Sequence, residues 1–395
     1  MGAILYRFPS RQIKVVGVTG TKGKSTTVEL VSAILEEAGY SVAISSTIHF
    51  KIADKDMRNM YKMTMPGRFF IQKFLRAAVK EGCEFAVVEM TSEGVKQFRH
   101  AGIALDALIF LNLSPEHIES HGSFENYRRA KLRLADALEE SSKPDRTLVV
   151  NGDDKTSEYF LKRHIPRKVK FHLRDAGAYT TSETGSKFLW RGASVLFHLA
   201  GVFNIKNALA AASFAESQDI PPEVVARALS KVLGVRGRVE EIGGLKSYRV
   251  FVDYAHTPDS LTALYEAFPG KRKICVLGNT GGGRDTWKRP EMGRIAETFC
   301  ETVIVTNEDP YDEDPRAIVD AMAIGMKKKR PLIIMNRRSA IAEALQIAGK
   351  GNSDCVVLIS GKGTDPCICG PRGSKIPWDD ATITREEIAK LGTNA

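Results

Sequence analysis

The chain has 395 residues, 43% of them apolar and 26% charged, an ordinary globular balance at a length that makes two domains the expectation. A formal charge of +10 calls for anionic partners, which composition alone does not divide among nucleic acid, membrane surface and phosphorylated small molecules. The basic residues are scattered, however. The densest run, Lys327-Lys328-Lys329-Arg330, is short enough to read as a solvated helix end, so no nucleic-acid partner is expected. No stretch has the apolar length of a membrane span, and Met1 to Gln12 carries no signal-peptide core, so a cytoplasmic protein is expected. Of the six cysteines, those at 83, 275, 300 and 355 lie in apolar stretches and read as buried thiols. Cys367 and Cys369 form a lone Cys-x-Cys, too little for a structural zinc site.

Short apolar runs alternate with amphipathic stretches, the pattern of a mostly parallel sheet with crossover helices. Strands are predicted at Ile13 to Val18, Phe85 to Glu89, Ala107 to Leu111 and Thr147 to Val150. Helices are predicted at Ser25 to Gly39, Arg68 to Glu81 and Phe124 to Glu139. Residues 155 to 200 are shorter and more polar in their runs and read as a small side sheet, closed by a helix from Ile205 to Ser217. Four glycines between Leu233 and Gly244 mark a domain boundary. Strands at Arg249 to Asp253, Lys273 to Leu277, Thr302 to Thr306, Leu332 to Met335 and Cys355 to Ile359 then predict a smaller Rossmann-like domain. The fold class expected is α/β: a P-loop-type ATPase domain over 1–238, then a C-terminal domain over 239–395.

The segment Thr19-Gly20-Thr21-Lys22-Gly23-Lys24-Ser25 follows the first strand and opens a helix. Glycines let backbone amides turn toward a phosphate at a helix N-terminus, Lys24 reaches the β- and γ-phosphates, and the Ser25 hydroxyl suits Mg²⁺. Gly20, Thr21, Lys22, Gly23, Lys24, Ser25 and Thr26 are therefore the expected nucleotide-binding residues. Val18 stands where the general Walker pattern has its first glycine, so the match is to a shorter loop.

That shorter loop resembles the Mur ligases, a family that also includes folylpolyglutamate synthase, and the resemblance spans nearly the whole chain, most of all with its tripeptide synthetases. It implies that Glu89, at a strand end, ligates Mg²⁺, a role suited to a hard oxygen donor. Asn112-Leu113-Ser114-Pro115-Glu116-His117 with His121-Gly122 resembles a family segment whose first histidine, His117 here, holds a second metal. Tyr127-x-x-Ala130-Lys131 resembles the segment bearing a carbamylated lysine, which implies a carbamate on Lys131. Leu199 to Ala210 matches a helix-opening segment and puts Asn204 and Asn207 near the nucleotide. Asp253-Tyr254-Ala255-His256-Thr257-Pro258 matches the opening of the C-terminal domain, with Asp253 and His256 near ATP. Gly281-Gly282-Gly283-Arg284-Asp285 resembles a segment from which Arg284 reaches the phosphates.

The same resemblance exposes departures. Only twelve residues precede the first predicted strand, where tripeptide synthetases carry a uridine-nucleotide domain, so recognition of a UDP-linked acceptor would call for a partner chain. Thr64 stands in a loop like the one contacting the muramoyl group, but Glu93 replaces a histidine. Tyr311, after Glu308-Asp309-Pro310, replaces the arginine of diaminopimelate-adding enzymes, and Asp365 stands for a glutamate. Thr64, Glu93, Asp309, Tyr311 and Asp365 are the expected substrate contacts, and meso-diaminopimelate is not the expected amine. The function implied is an ATP- and Mg²⁺-dependent amide ligase, with one or two ions. It would activate the carboxylate of an acidic small-molecule precursor as an acyl phosphate for attack by an amino acid, with Lys24, His117, Lys131 and Arg284 as catalytic residues. A polyglutamate-type or cofactor-tailoring ligase and a regulatory ATP-binding protein are the competing readings. An amidating relative is disfavoured, because no four-cysteine zinc insertion is present.

Overall fold

A computed structural model describes residues 1–116, 118–243, 248–350 and 354–392. The chain divides into two compact units, Met1–Leu233 and Gly234–Ala395.

The first unit is built on strands β1 (Lys14–Thr19), β2 (Val42–Ser45), β3 (His49–Ile52), β4 (Lys55–Arg58), β5 (Phe85–Glu89), β6 (Ala107–Phe110), β7 (Thr147–Asn151) and β8 (Arg167–Phe171). They form one sheet in the order β4-β3-β2-β5-β1-β6-β7-β8. β2, β5, β1, β6, β7 and β8 run parallel, while β3 and β4 fold back antiparallel at the edge. The central strands are buried on both faces, as in Val15, Val16 and Val18 of β1 and Ala86, Val87 and Val88 of β5, which is why they read as unbroken apolar runs. One core face gathers Ile71, Leu75, Leu105, Tyr127, Leu134 and Phe160 under the strands.

The segment 155–200 differs from the expectation. Only β9 (Thr180–Ser182), β10 (Gly185–Trp190) and β11 (Ala193–Phe197) make a separate antiparallel sheet. β8, Arg-Lys-Val-Lys-Phe, instead joins the main sheet as its edge strand, pairing with β7. Its lysines and arginine suit an exposed edge and hide the apolar period. The chain from β2 through β4, for which no element was predicted, extends the opposite edge.

The second unit has a six-stranded sheet of β12 (Glu240–Glu241), β13 (Arg249–Asp253), β14 (Arg272–Leu277), β15 (Thr302–Val305), β16 (Leu332–Ile333) and β17 (Cys355–Ser360) in the order β12-β13-β17-β14-β15-β16. All but β12 are parallel. A hairpin, β18 (Cys367–Cys369) and β19 (Lys375–Pro377), follows. Arg337 and Asp380, both buried, form a bidentate pair with N–O distances of 2.8 and 2.6 Å. The indole of Trp378 also donates to Asp380.

Cys275 and Cys300, expected to be buried thiols, instead form a disulfide with Cα atoms 6.2 Å apart. β14 and the turn after the helix Lys288–Phe299 bring them together across 25 positions, a proximity that sequence spacing does not reveal. Cys83, Cys355, Cys367 and Cys369 are buried and take part in no disulfide.

Candidate active site

In a parallel sheet, loops at the carboxyl ends of strands converge where strand order switches direction. β1 lies between β5 and β6, so the loops after β1, β5 and β6 meet. They deliver Gly20 to Ser25, Glu89 and Asn112 to one place.

The phosphate loop ends at Gly23, whose φ of +84° is left-handed and caps the helix Lys24–Glu37. A Cβ there would stand 2.2 Å from the Asn207 side-chain oxygen, so glycine is required twice, for conformation and for space. Asn207 holds that position by donating to Asn204 Oδ1 at 3.2 Å, and Asn204 donates to Ala200 O at 2.8 Å. Asn207, on the helix Val202–Ser217, thus stands beside the loop, with Asn204 behind it.

Asn112 was passed over by the sequence reading except as part of a motif, yet it shapes the loop. Its Oδ1 accepts from Thr21 N at 3.1 Å and Lys22 N at 2.8 Å, and its Nδ2 donates to Lys22 O at 3.1 Å. Tyr127 is a second such residue, its hydroxyl 3.0 Å from Thr21 Oγ1. Lys22 pairs with the buried Glu116 at 3.0 Å. Lys24 Nζ donates to Gly20 O and Thr21 O at 3.1 and 3.0 Å, which holds an ammonium directly over the loop. Thr26 is buried in the first helical turn.

Ser25 Oγ donates to Glu89 Oε2 at 3.0 Å, and the same oxygen accepts from Thr47 N at 2.8 Å. Thr47 and Thr64 share a hydrogen bond of 2.7 Å between their hydroxyls. A polar chain therefore runs from the loop serine to a residue expected to touch the acceptor. Hydroxyl and carboxylate oxygens are the donors Mg²⁺ takes, so Ser25 and Glu89 fit that ion. Among the described residues no group of three or more His, Cys, Asp or Glu clusters as a metal site. His117 lies outside the described residues.

Lys131 is fully enclosed, and its Nζ donates to Gly20 O at 2.8 Å. Desolvation holds its pKa well below the lysine range, reinforced by the charge of Lys24, although Glu116 and Glu89 oppose the shift. A buried amine beside other cations is held toward its neutral, nucleophilic form. Glu93 meets His121 Nε2 at 3.1 Å and Ser120 Oγ at 2.5 Å, while His121 also lies 3.2 Å from Ser92 Oγ.

The remaining expected residues stand in the second unit. Asp253 Oδ2 accepts from Val239 N and Oδ1 from Ala255 N; burial raises its pKa, against the pull of Arg238 and these amides. His256 Nδ1 is 2.7 Å from Tyr254 O, and Arg284 is exposed on its glycine loop. Asp309 and Asp365 share the buried Lys362, whose Nζ lies 2.8 and 2.9 Å from Asp309 and 3.3 Å from Asp365. Tyr311, at φ +51°, packs against Gly282. Glu308 is buried; its Oε1 accepts from Thr280 at 2.7 Å, while its Oε2 has no hydrogen-bond partner among the described residues.

The model of the Mur ligase middle domain matches residues 18–215, and that of the Mur ligase glutamate ligase domain matches 237–363. The chain is 36% identical over 421 residues to the UDP-N-acetylmuramyl-tripeptide synthetase of Roseiflexus sp. (strain RS-1), covering 99% of this chain and 82% of that one. It is 37% identical over 379 residues to the UDP-N-acetylmuramoyl-L-alanyl-D-glutamate--2,6-diaminopimelate ligase of Syntrophomonas wolfei, covering 92% and 76%. A solved structure of such a diaminopimelate ligase superposes with a TM-score of 0.66 at 27% identity, covering 99% of this chain and 82% of that one. Folylpolyglutamate synthase of Mycobacterium tuberculosis superposes at 0.75 with 17% identity and 92% coverage of both chains, a likeness of fold alone. The chain belongs to the Mur ligase family of ATP-dependent, ADP-forming amide ligases.

Proposed function

We propose that the first unit activates the carboxylate of an acidic, cell-wall-type precursor with ATP, so that an amino acid can be joined to it through an amide bond. The observation that carries this reading is the convergence of Lys24, Lys131 and the Ser25–Glu89 pair on one loop. The carboxylate attacks the γ-phosphate of ATP, giving an acyl phosphate and ADP. The amine of the amino acid then displaces phosphate and loses a proton. Lys24 stabilises charge on the transferring phosphoryl group. Mg²⁺ held by Ser25 and Glu89 would neutralise phosphate charge. Asn112 and Tyr127 keep the loop amides and Thr21 in place.

Lys131 is the residue we assign to carbamylation: its suppressed protonation leaves an amine able to add to CO₂ with loss of a proton. The carbamate would be an anionic oxygen ligand for a second Mg²⁺, together with His117. On the amine side, Tyr311 supplies no guanidinium to clamp a second carboxylate. The incoming residue is therefore assigned as something other than meso-diaminopimelate.

Phosphate release with UDP-N-acetylmuramoyl-L-alanyl-D-glutamate and a panel of amino acids tests the reading. Turnover that requires both acceptor and amine is expected. ATP hydrolysis that proceeds equally with every amine omitted refutes the ligase assignment.

A further inference from the structure

The helix Phe124–Glu139 does two jobs on two faces. Tyr127 and Lys131 turn inward to the phosphate loop. Arg129 and Arg133 each stand two positions from Lys131, which at 3.6 residues per turn puts them about 200° round the helix, on the opposite face. There, with Asn126 and Ala130, they line a pocket of about 210 Å³ that is completed by Lys96 and His121.

The pocket is unbalanced in charge. Lys96, Arg129 and Arg133 bring three cations, and no carboxylate is among its lining residues. Arg129 makes no ion pair among the described residues. Arg133 lies 6.0 Å over the ring of Phe98, and Lys96 donates to Ser120 O at 2.6 Å. Arginines at i and i+4 repel on a helix, and a third cation facing them adds to that cost. An oxyanion removes it, because guanidinium forks take phosphate oxygens in pairs. His121 connects the pocket to the acceptor side, since the same ring meets Ser92 and Glu93. The helix meets the phosphate loop through Tyr127 and Lys131 and not through these arginines. The reacting carboxylate must sit at that loop, so the pocket suits a second, remote anionic group.

We propose that the pocket formed by Lys96, Arg129 and Arg133 binds a phosphate or diphosphate group at the far end of the acceptor. The assignment to an acceptor rests on the ligase reading; the oxyanion site itself does not. Both arginines are exposed, so a double Arg129→Ala, Arg133→Ala variant should fold.

Two measurements test the proposal. The first is calorimetric titration of inorganic pyrophosphate into protein whose nucleotide site is filled with Mg²⁺ and a non-hydrolysable ATP analogue. Wild type is expected to bind pyrophosphate, and the double variant to bind it at least tenfold more weakly. The second compares the KM of a UDP-linked muramoyl dipeptide with that of the same dipeptide lacking the diphosphate. The double variant should raise the first at least tenfold and leave the second, and the KM for ATP, within twofold. Unchanged pyrophosphate binding overturns the site, and equal losses for both acceptors overturn its assignment to a phosphate. If wild type ligates neither acceptor yet pyrophosphate binding still depends on the arginines, the oxyanion site stands and the acceptor assignment falls with the ligase reading.

Discussion

Replacing Gly23 by alanine perturbs the phosphate loop without touching a charge. At φ +84° an L-residue costs about 1–2 kcal/mol. The new Cβ would also stand 2.2 Å from Asn207 Oδ1, so Asn207 must move and lose its bond to Asn204, worth about 1 kcal/mol. Together these predict a loss of about 2–3 kcal/mol from the first unit. Urea unfolding measures it, with the buried Trp190 as the tryptophan of that unit and Trp287 and Trp378 in the other. Nucleotide affinity should fall at least tenfold, since a displaced loop costs more than about 1.4 kcal/mol of binding. An Asn207→Ala second substitution removes the clash but not the backbone strain, so the double variant should recover about 1 kcal/mol relative to additivity. A loss below about 0.5 kcal/mol in Gly23→Ala, or strict additivity with Asn207→Ala, refutes the account of why this position is glycine.

Lys131 predicts a pH dependence with a definite sign. Its folded pKa lies well below 10.5, the usual lysine value, so between the two the unfolded chain binds the extra proton and stability rises with pH. The slope reaches about 1.4 kcal/mol per pH unit. In CO₂-free buffer, urea midpoints between pH 7 and 9 should climb more steeply for wild type than for Lys131→Met, and equal slopes would count against a suppressed amine. In the second unit, Arg337→Ala strands the buried Asp380 carboxylate and should cost about 3–5 kcal/mol of stability, whereas the paired replacement Arg337→Met, Asp380→Leu should cost far less. Chemical denaturation distinguishes the two; similar losses would mean that packing, not charge, dominates there.

The chain's local signals carried much of this site. A strand, a glycine-bearing loop and a helix in sequence are enough to place Gly20 to Ser25, because phosphate binding by a helix N-terminus is a local arrangement. Central strands such as β1 and β5 were legible because burial on both faces leaves continuous apolar runs. β8 was not, since an edge strand keeps charges on its open side, and the charged β3 and β4 at the other edge have the same difficulty. The disulfide between Cys275 and Cys300, Asn207 against Gly23, and Asn112 under Thr21 and Lys22 join residues 25, 184 and about 90 positions apart. Only strand order sets those distances. The same holds for Lys131: sequence places it on a helix among arginines, where an exposed, protonated lysine is the ordinary outcome. Packing that helix against the sheet turns Lys131 inward beside Lys24 and leaves Arg129 and Arg133 outside, so one helix supplies a suppressed amine on one face and an unbalanced cationic pocket on the other.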